Sequence, residues 1–165
     1  MRTDKDFQVT EGLKMRADKI IKRAMLEVGT KEEPAGSNNV KYNTWFYNRE
    51  VSGDRYPWCC AFMAWLFRDT KIFPVTASCA YALDWYEFNK RIVNDPQPGD
   101  IVFFRFSTNA RRSNHIGLVV GVHGDQITTI EGNTSINSDD NGGAVLKRTR
   151  NRKNIVAFAR PAYEE

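Results

Sequence analysis

The chain has 165 residues, 41% of them hydrophobic and 27% charged, with a net charge of +4. That length suits one domain with a substantial core. No apolar run approaches the roughly 20 residues of a membrane span, and none follows Met1-Arg2-Thr3-Asp4-Lys5-Asp6, so neither membrane insertion nor a secretory signal peptide is expected.

Residues 1–10 read as a lead-in and 11–163 as the domain. From about Glu11, Leu13, Ala17, Ile20, Ile21, Ala24, Met25 and Val28 recur at helical spacing, with Gly29 as a stop. Residues 30–57 are polar and long for a connection, with an aromatic patch at Tyr42, Trp45, Phe46 and Tyr47 that predicts a short helix over 41–48. A turn signal through Pro57 leads into a strongly apolar stretch, and a buried helix is predicted over 59–69. Cys59 falls at its start, where free backbone N–H groups and the helix dipole favour a thiolate. A further helix is predicted from Thr76 or Ser78 as N-cap to about Arg91, with Ala82, Trp85 and Phe88 on its face.

After the turn cluster Pro96-Gln97-Pro98-Gly99-Asp100 the texture becomes that of strands: 101–106, 116–122, 126–131, 144–149 and 154–160. His123-Gly124-Asp125 marks a hairpin. Helices first and an antiparallel sheet second make an α+β arrangement. The cysteines, Cys59, Cys60 and Cys79, form neither a disulfide framework nor a zinc spacing, and His115 and His123 lie outside any H-E-x-x-H pattern. No metal or cofactor is therefore expected. The late basic residues, Arg111, Arg112, Lys147, Arg148, Arg150, Arg152 and Lys153, come without a nucleic-acid-binding motif. They read as a solvated or wall-facing surface, and no nucleic-acid partner is expected.

His115 opens one strand of the predicted hairpin. Glu131 ends the other, and Asn133, two residues on, would share its face in an extended chain. Either side chain could accept the imidazole Nδ1–H and leave Nε2 facing a cysteine. Nucleophile, base and orienting group would then come in the chain order Cys, His, Glu or Asn.

Tyr56-Pro57-Trp58-Cys59-Cys60-Ala61-Phe62 resembles the P-W-C-x-x-F signature of the CHAP family of cysteine peptidoglycan amidases and peptidases. Gln97-Pro98-Gly99-Asp100-Ile101-Val102-Phe103, Asn114-His115-Ile116-Gly117-Leu118-Val119 and Glu131-Gly132-Asn133 resemble its later motifs, in order. Ala24 to Thr30 and Ala35 to Asn39 are similar to forms found in bacteriophage lysins and prophage wall hydrolases. The resemblance implies a papain-like α+β fold of the NlpC and CHAP type, with Cys59 as nucleophile, His115 as base and Glu131 as orienting acid. Asn133 would be an assisting or alternative partner.

The family often has Gln before the cysteine. Here the residue is Trp58, so that side-chain oxyanion donor does not carry over, whereas the Cys59 backbone N–H does. Some relatives bind calcium in an Asp-rich loop. Residues 30–57 lack such a loop, and Asp139-Asp140-Asn141-Gly142 reads as a hairpin turn.

The expected activity is hydrolysis of a peptidoglycan amide, by an N-acetylmuramoyl-L-alanine amidase before an endopeptidase. Trp58, Trp45 and Tyr47 are candidate aromatic walls for a sugar. The rivals are a papain-like acyltransferase or protein peptidase, and an inert binding module. A monomer is expected, made in the cytoplasm and acting on the wall after release, with any wall-binding module outside this chain.

Overall fold

The computed structural model describes residues 15–164. Among the described residues four helices precede the sheet: α1 (Ala17–Glu27), α2 (Lys41–Tyr47), α3 (Cys59–Leu66) and α4 (Cys79–Phe88). Six strands follow: β1 (Ile92–Val93), β2 (Ile101–Phe104), β3 (His115–His123), β4 (Gln126–Thr134), β5 (Ala144–Arg150) and β6 (Ile155–Ala159). They form one antiparallel sheet in the order β1-β6-β2-β3-β4-β5, the α+β class that the texture predicts. The predicted start of α1 near Glu11, with Leu13, lies outside the described residues; within them the helix begins at Ala17.

The apolar stretch after Pro57 does form a helix wrapped in core. Cys60, Ala61, Phe62, Met63 and Leu66 are wholly buried, and α3 packs on β3 and β4. Gly132 permits that approach: a Cβ there would stand 2.8 Å from Phe62 Cβ. The helix ends at Leu66, short of the predicted 69.

Ser78 caps α4 by accepting the Tyr81 N–H at 3.1 Å. The inward face of α4 is Cys79, Ala82, Leu83 and Tyr86. Phe88, expected on that face, is 86% exposed. The phase is set by Tyr86, whose hydroxyl donates to the Ile72 carbonyl at 2.7 Å.

The long polar connection before α3 is ordered by two buried side chains. Glu32 accepts from the Gly36 N–H at 2.6 Å, the Asn38 N–H at 3.1 Å and Trp58 Nε1–H at 3.0 Å. Asn43 Nδ2 donates to the carbonyls of Asn38 (3.0 Å) and Tyr56 (2.9 Å). Residues 29–31 run along β5: the Gly29 N–H reaches the Val145 carbonyl, and the Val145 N–H reaches the Thr30 carbonyl. That contact covers part of an otherwise open sheet edge.

The Pro98-Gly99-Asp100 turn fixes the start of β2. Arg160 forks onto Asp100 with two contacts of 2.9 Å, and the Tyr163 hydroxyl donates to the Gly99 carbonyl at 2.6 Å. The short edge strand β1 went unread in the sequence.

Candidate active site

Pro57 and the turn before it deliver Cys59 as the first residue of α3, with Trp58 as N-cap. The Cys59 N–H is therefore a first-turn donor with no partner inside the helix. Its Sγ lies 3.6 Å from Cys79 Sγ and 3.9 Å from the Asn114 carbonyl oxygen.

The hairpin of β3 and β4 turns at residues 124–125, pairing His123 with Gln126 and Leu118 with Ile130. It brings the start of β3 beside the end of β4. His115 and Glu131 are both fully buried there, with Nε2 and Oε1 2.7 Å apart. Gly117 leaves room for the acid, since a Cβ at that position would lie 2.7 Å from Glu131 Cγ. An ionised carboxylate only accepts, so Nε2 carries the proton in this contact. Nδ1, the nitrogen left over, has no hydrogen-bond partner among the described residues. This reverses the ring orientation expected from sequence, in which Nδ1 met the acid. The strand backbone gives the side of the sheet from which a ring projects, whereas the side-chain torsions decide which nitrogen leads.

Asn133 does not reach His115. It sits in the left-handed region at φ 56°, where the β4–β5 pairing shifts register between Glu131 and Thr134. The bulge breaks the alternation that would have put 131 and 133 on one face. Asn133 Oδ1 instead accepts the Gly143 N–H at 3.2 Å, and its Nδ2 is buried without a partner.

Trp58 is fully buried and hydrogen-bonded to Glu32, so it lines no cleft. Trp45 lines a groove with Lys31, Glu33, Asn39 and Lys41, which includes neither Cys59 nor His115. Tyr47 packs between Phe46 and Tyr56, at ring separations of 4.9 and 5.0 Å. A polar cleft of about 340 Å³ is lined by Asn38, Asp54, Pro57, Asn114, Asp140 and Asn141; neither Cys59 nor His115 lines it, but Pro57 lies two residues before Cys59 and Asn114 immediately before His115. Asp140 accepts Asn114 Nδ2–H at 2.7 Å, immediately before His115. Residues 135–143 form the β4–β5 connection, shorter than the 132–143 left between the predicted strands because β4 runs on to Thr134. Among the described residues no group of three or more His, Cys, Asp or Glu side chains is arranged to hold a metal ion.

Three neighbours were missed in the sequence. Thr129 Oγ1–H donates to Glu131 Oε2 at 2.5 Å. Arg150, expected on a solvated basic surface, is buried, with Nε 2.9 Å from Oε2 and Nη2 2.5 Å from Oε1 of Glu131. Cys79 abuts the Cys59 sulfur. The signal for Arg150 was the strand period: register places 127, 129 and 131 on the same face as 150, 148 and 146.

Burial acts to raise the Glu131 pKa, but Arg150 and His115 prevail and hold it at about 2. Burial acts to lower His115, yet Cys59 and Glu131 raise it to about 9. The Cys79 sulfur and burial push the Cys59 thiol well up, against the pull of His115. The helix start therefore does not generate a thiolate unaided, and the proton of Cys59 needs an acceptor. The arrangement offers one in Nδ1 of the neutral His115 ring, polarised from behind by an ionised carboxylate; the raised pKa makes that ring a stronger base and leaves its neutral form the minority below about pH 9.

A family model described as "CHAP domain" matches residues 51–133, half of the chain. No curated protein matches the sequence. Solved structures share the fold. The crystal structure of the endolysin LysIME-EF1 superposes with a TM-score of 0.56 at 14% identity, over 91% of this chain and 66% of that one. Ly7917 gives 0.57 at 14% identity, over 89% and 63%. Ly7917 with the hydrolyzing product of MDP gives 0.55 at 15%, over 88% and 62%. The chain thus spans just under two thirds of the length of these structures. The span of the family match, which runs from before Cys59 to Asn133, establishes that this chain belongs to the CHAP domain family.

Proposed function

We propose that the chain is a cysteine hydrolase that cuts an amide bond of bacterial peptidoglycan, with Cys59 as nucleophile, His115 as acid and base, and Glu131 as orienting group. One observation carries this reading: a helix-start cysteine, a histidine with one nitrogen free, and a buried anion on the other nitrogen come together at one end of a hairpin. Membership of the CHAP family and the shared fold with an endolysin support the substrate class.

The Cys59 proton passes to His115 Nδ1, and the thiolate attacks the amide carbonyl carbon. The Cys59 N–H stands ready to donate to the developing oxyanion. The imidazolium, stabilised by Glu131, returns its proton to the leaving amine, and a thioester remains. Water then adds with His115 as base, releasing the acid and restoring the thiol.

The finer reading is N-acetylmuramoyl-L-alanine amidase. Its support is no longer an aromatic wall, because Trp58 is buried and Trp45 lies in another groove. Support comes from the polar cleft lined by Pro57 and Asn114, near Cys59 and His115 in the chain, whose Asn and Asp side chains match the hydroxyl and acetamide groups of a sugar-linked amide. The test is mass spectrometry of purified sacculi digested by the chain, with new amino termini labelled. Free L-alanine termini on intact stem peptides are expected. New glycine termini, or cuts beside D-alanine, would replace the amidase reading with an endopeptidase.

A further inference from the structure

Arg150 ends β5 and carries a permanent charge into the interior. Its guanidinium forks onto Glu131, and Nη1 also reaches Asp139 Oδ1 at 2.5 Å. Its guanidinium Cζ lies 5.1 Å from the Phe104 ring centre and 5.2 Å from that of Phe106. The same two rings flank His115, at 5.7 and 5.8 Å. Arg150 and His115 therefore sit on one aromatic shelf and share one carboxylate. Oε1 is the common atom, taking both Nε2–H of His115 and Nη2–H of Arg150. A two-point fork fixes the rotation of a carboxylate as well as its position, which a single ammonium contact does not.

The charged and polar groups around Glu131 are few. His115 faces it from β3, Arg150 from β5 and the Thr129 hydroxyl from its own strand. Asp139 lies beyond Arg150 and is also held by Arg148 at 3.2 Å. Cys59 adjoins His115, and Cys79 abuts Cys59. A buried carboxylate deprived of its fixed cation would take up a proton far more readily. A protonated Glu131 is a poor acceptor for an imidazolium.

We propose that Arg150 is a positioning residue of the hydrolytic site: its fork keeps Glu131 ionised and turned toward His115 Nε2, which leaves Nδ1 as the nitrogen that serves Cys59. This role rests on the reading of Cys59, His115 and Glu131 as the reacting groups, and Arg150 itself touches none of the reacting atoms.

The test uses Arg150→Met and Arg150→Lys in the whole chain, labelled with 13C at glutamate carboxyls. Glu131 is identified by the signal lost in Glu131→Gln. In the parent chain Glu131 is expected to titrate well below an ordinary carboxylate, at about 2, because Arg150 and His115 hold it ionised. In Arg150→Met it titrates about one to three pH units higher, with Arg150→Lys between them. Turnover on saturating sacculi falls about tenfold or more in Arg150→Met. A folded Arg150→Met chain with unmoved Glu131 titration, or with parental turnover, would overturn the role. Should Arg150→Met not fold, Arg150→Lys supplies both readings under the same criteria, because lysine keeps the charge and loses the fork. The titration is made without substrate, so it stands apart from the hydrolysis reading, which Cys59→Ala tests.

Discussion

Replacing Glu131 by Gln should alter acid stability in a way that isolates one carboxylate. Glu131 is held at about 2 in the fold against an ordinary 4.5. Each pH unit of such a gap is worth about 1.4 kcal/mol, so its ionised form contributes about 3 kcal/mol to stability. The sign follows from the depression. The contribution is fully present above pH 4.5 and is lost as pH falls toward 2. The variant also leaves Arg150 buried with only Asp139 as an anionic partner, a further cost at neutral pH. Urea unfolding followed by tryptophan fluorescence, at steps from pH 7 to pH 2.5, measures the difference between the two chains. The parent should lead by about 3 kcal/mol or more at pH 7, and the lead should shrink through the window from 4.5 to 2. Subtracting the two curves removes carboxylates titrating alike in both. A difference constant with pH would refute the claim that Glu131 is a paired, ionised carboxylate.

Gly132→Ala should cost about 1–3 kcal/mol and lower the urea midpoint, because its Cβ would press on Phe62 Cβ at 2.8 Å and on Trp58 at 3.0 Å. Cys79→Ala should keep lytic activity and speed alkylation of Cys59 by iodoacetamide, since it removes the sulfur that raises the Cys59 thiol; timed labelling with peptide mapping reads the rate. Iodoacetamide should stop lysis and EDTA should not, since thiolate attack needs no electrophilic ion. Restoration by zinc alone after EDTA would contradict the mechanism.

The placement of Cys59, His115 and Glu131 was open to sequence reading because each sits where local chemistry is punctuated. Pro57 sets the helix start, Gly124 the hairpin, and Gly117 and Gly132 the close approaches around Glu131. What escaped depended on contacts between elements. Asn133 looked like a second partner only while strand alternation was assumed through 133, and a bulge at positive φ breaks it. Arg150 looked solvated because a charged residue on a strand reads that way until a buried carboxylate on the paired strand claims it. The phase of α4 was misjudged at Phe88 because both faces of that helix carry aromatics, and only the fold selects Tyr86. The ring flip of His115 is a matter of side-chain torsion, on which residue order is silent. Trp58 seemed a cleft wall because an aromatic beside a nucleophile fits a sugar. Its indole is instead tied to Glu32, deep in the ordered loop.

The central claim is that Cys59, and not its neighbour Cys60, delivers the nucleophile. Adjacent residues at a helix start point about 100° apart, and Cys60 Sγ is directed to the Thr76 carbonyl at 3.3 Å. The most direct measurement is clearing of purified sacculi by Cys59→Ala and by Cys60→Ser, each checked for an unchanged circular dichroism spectrum. Cys59→Ala should leave the suspension turbid while Cys60→Ser clears it at close to the parental rate. Clearing by Cys59→Ala, or a folded Cys60→Ser chain that fails to clear, would contradict the account.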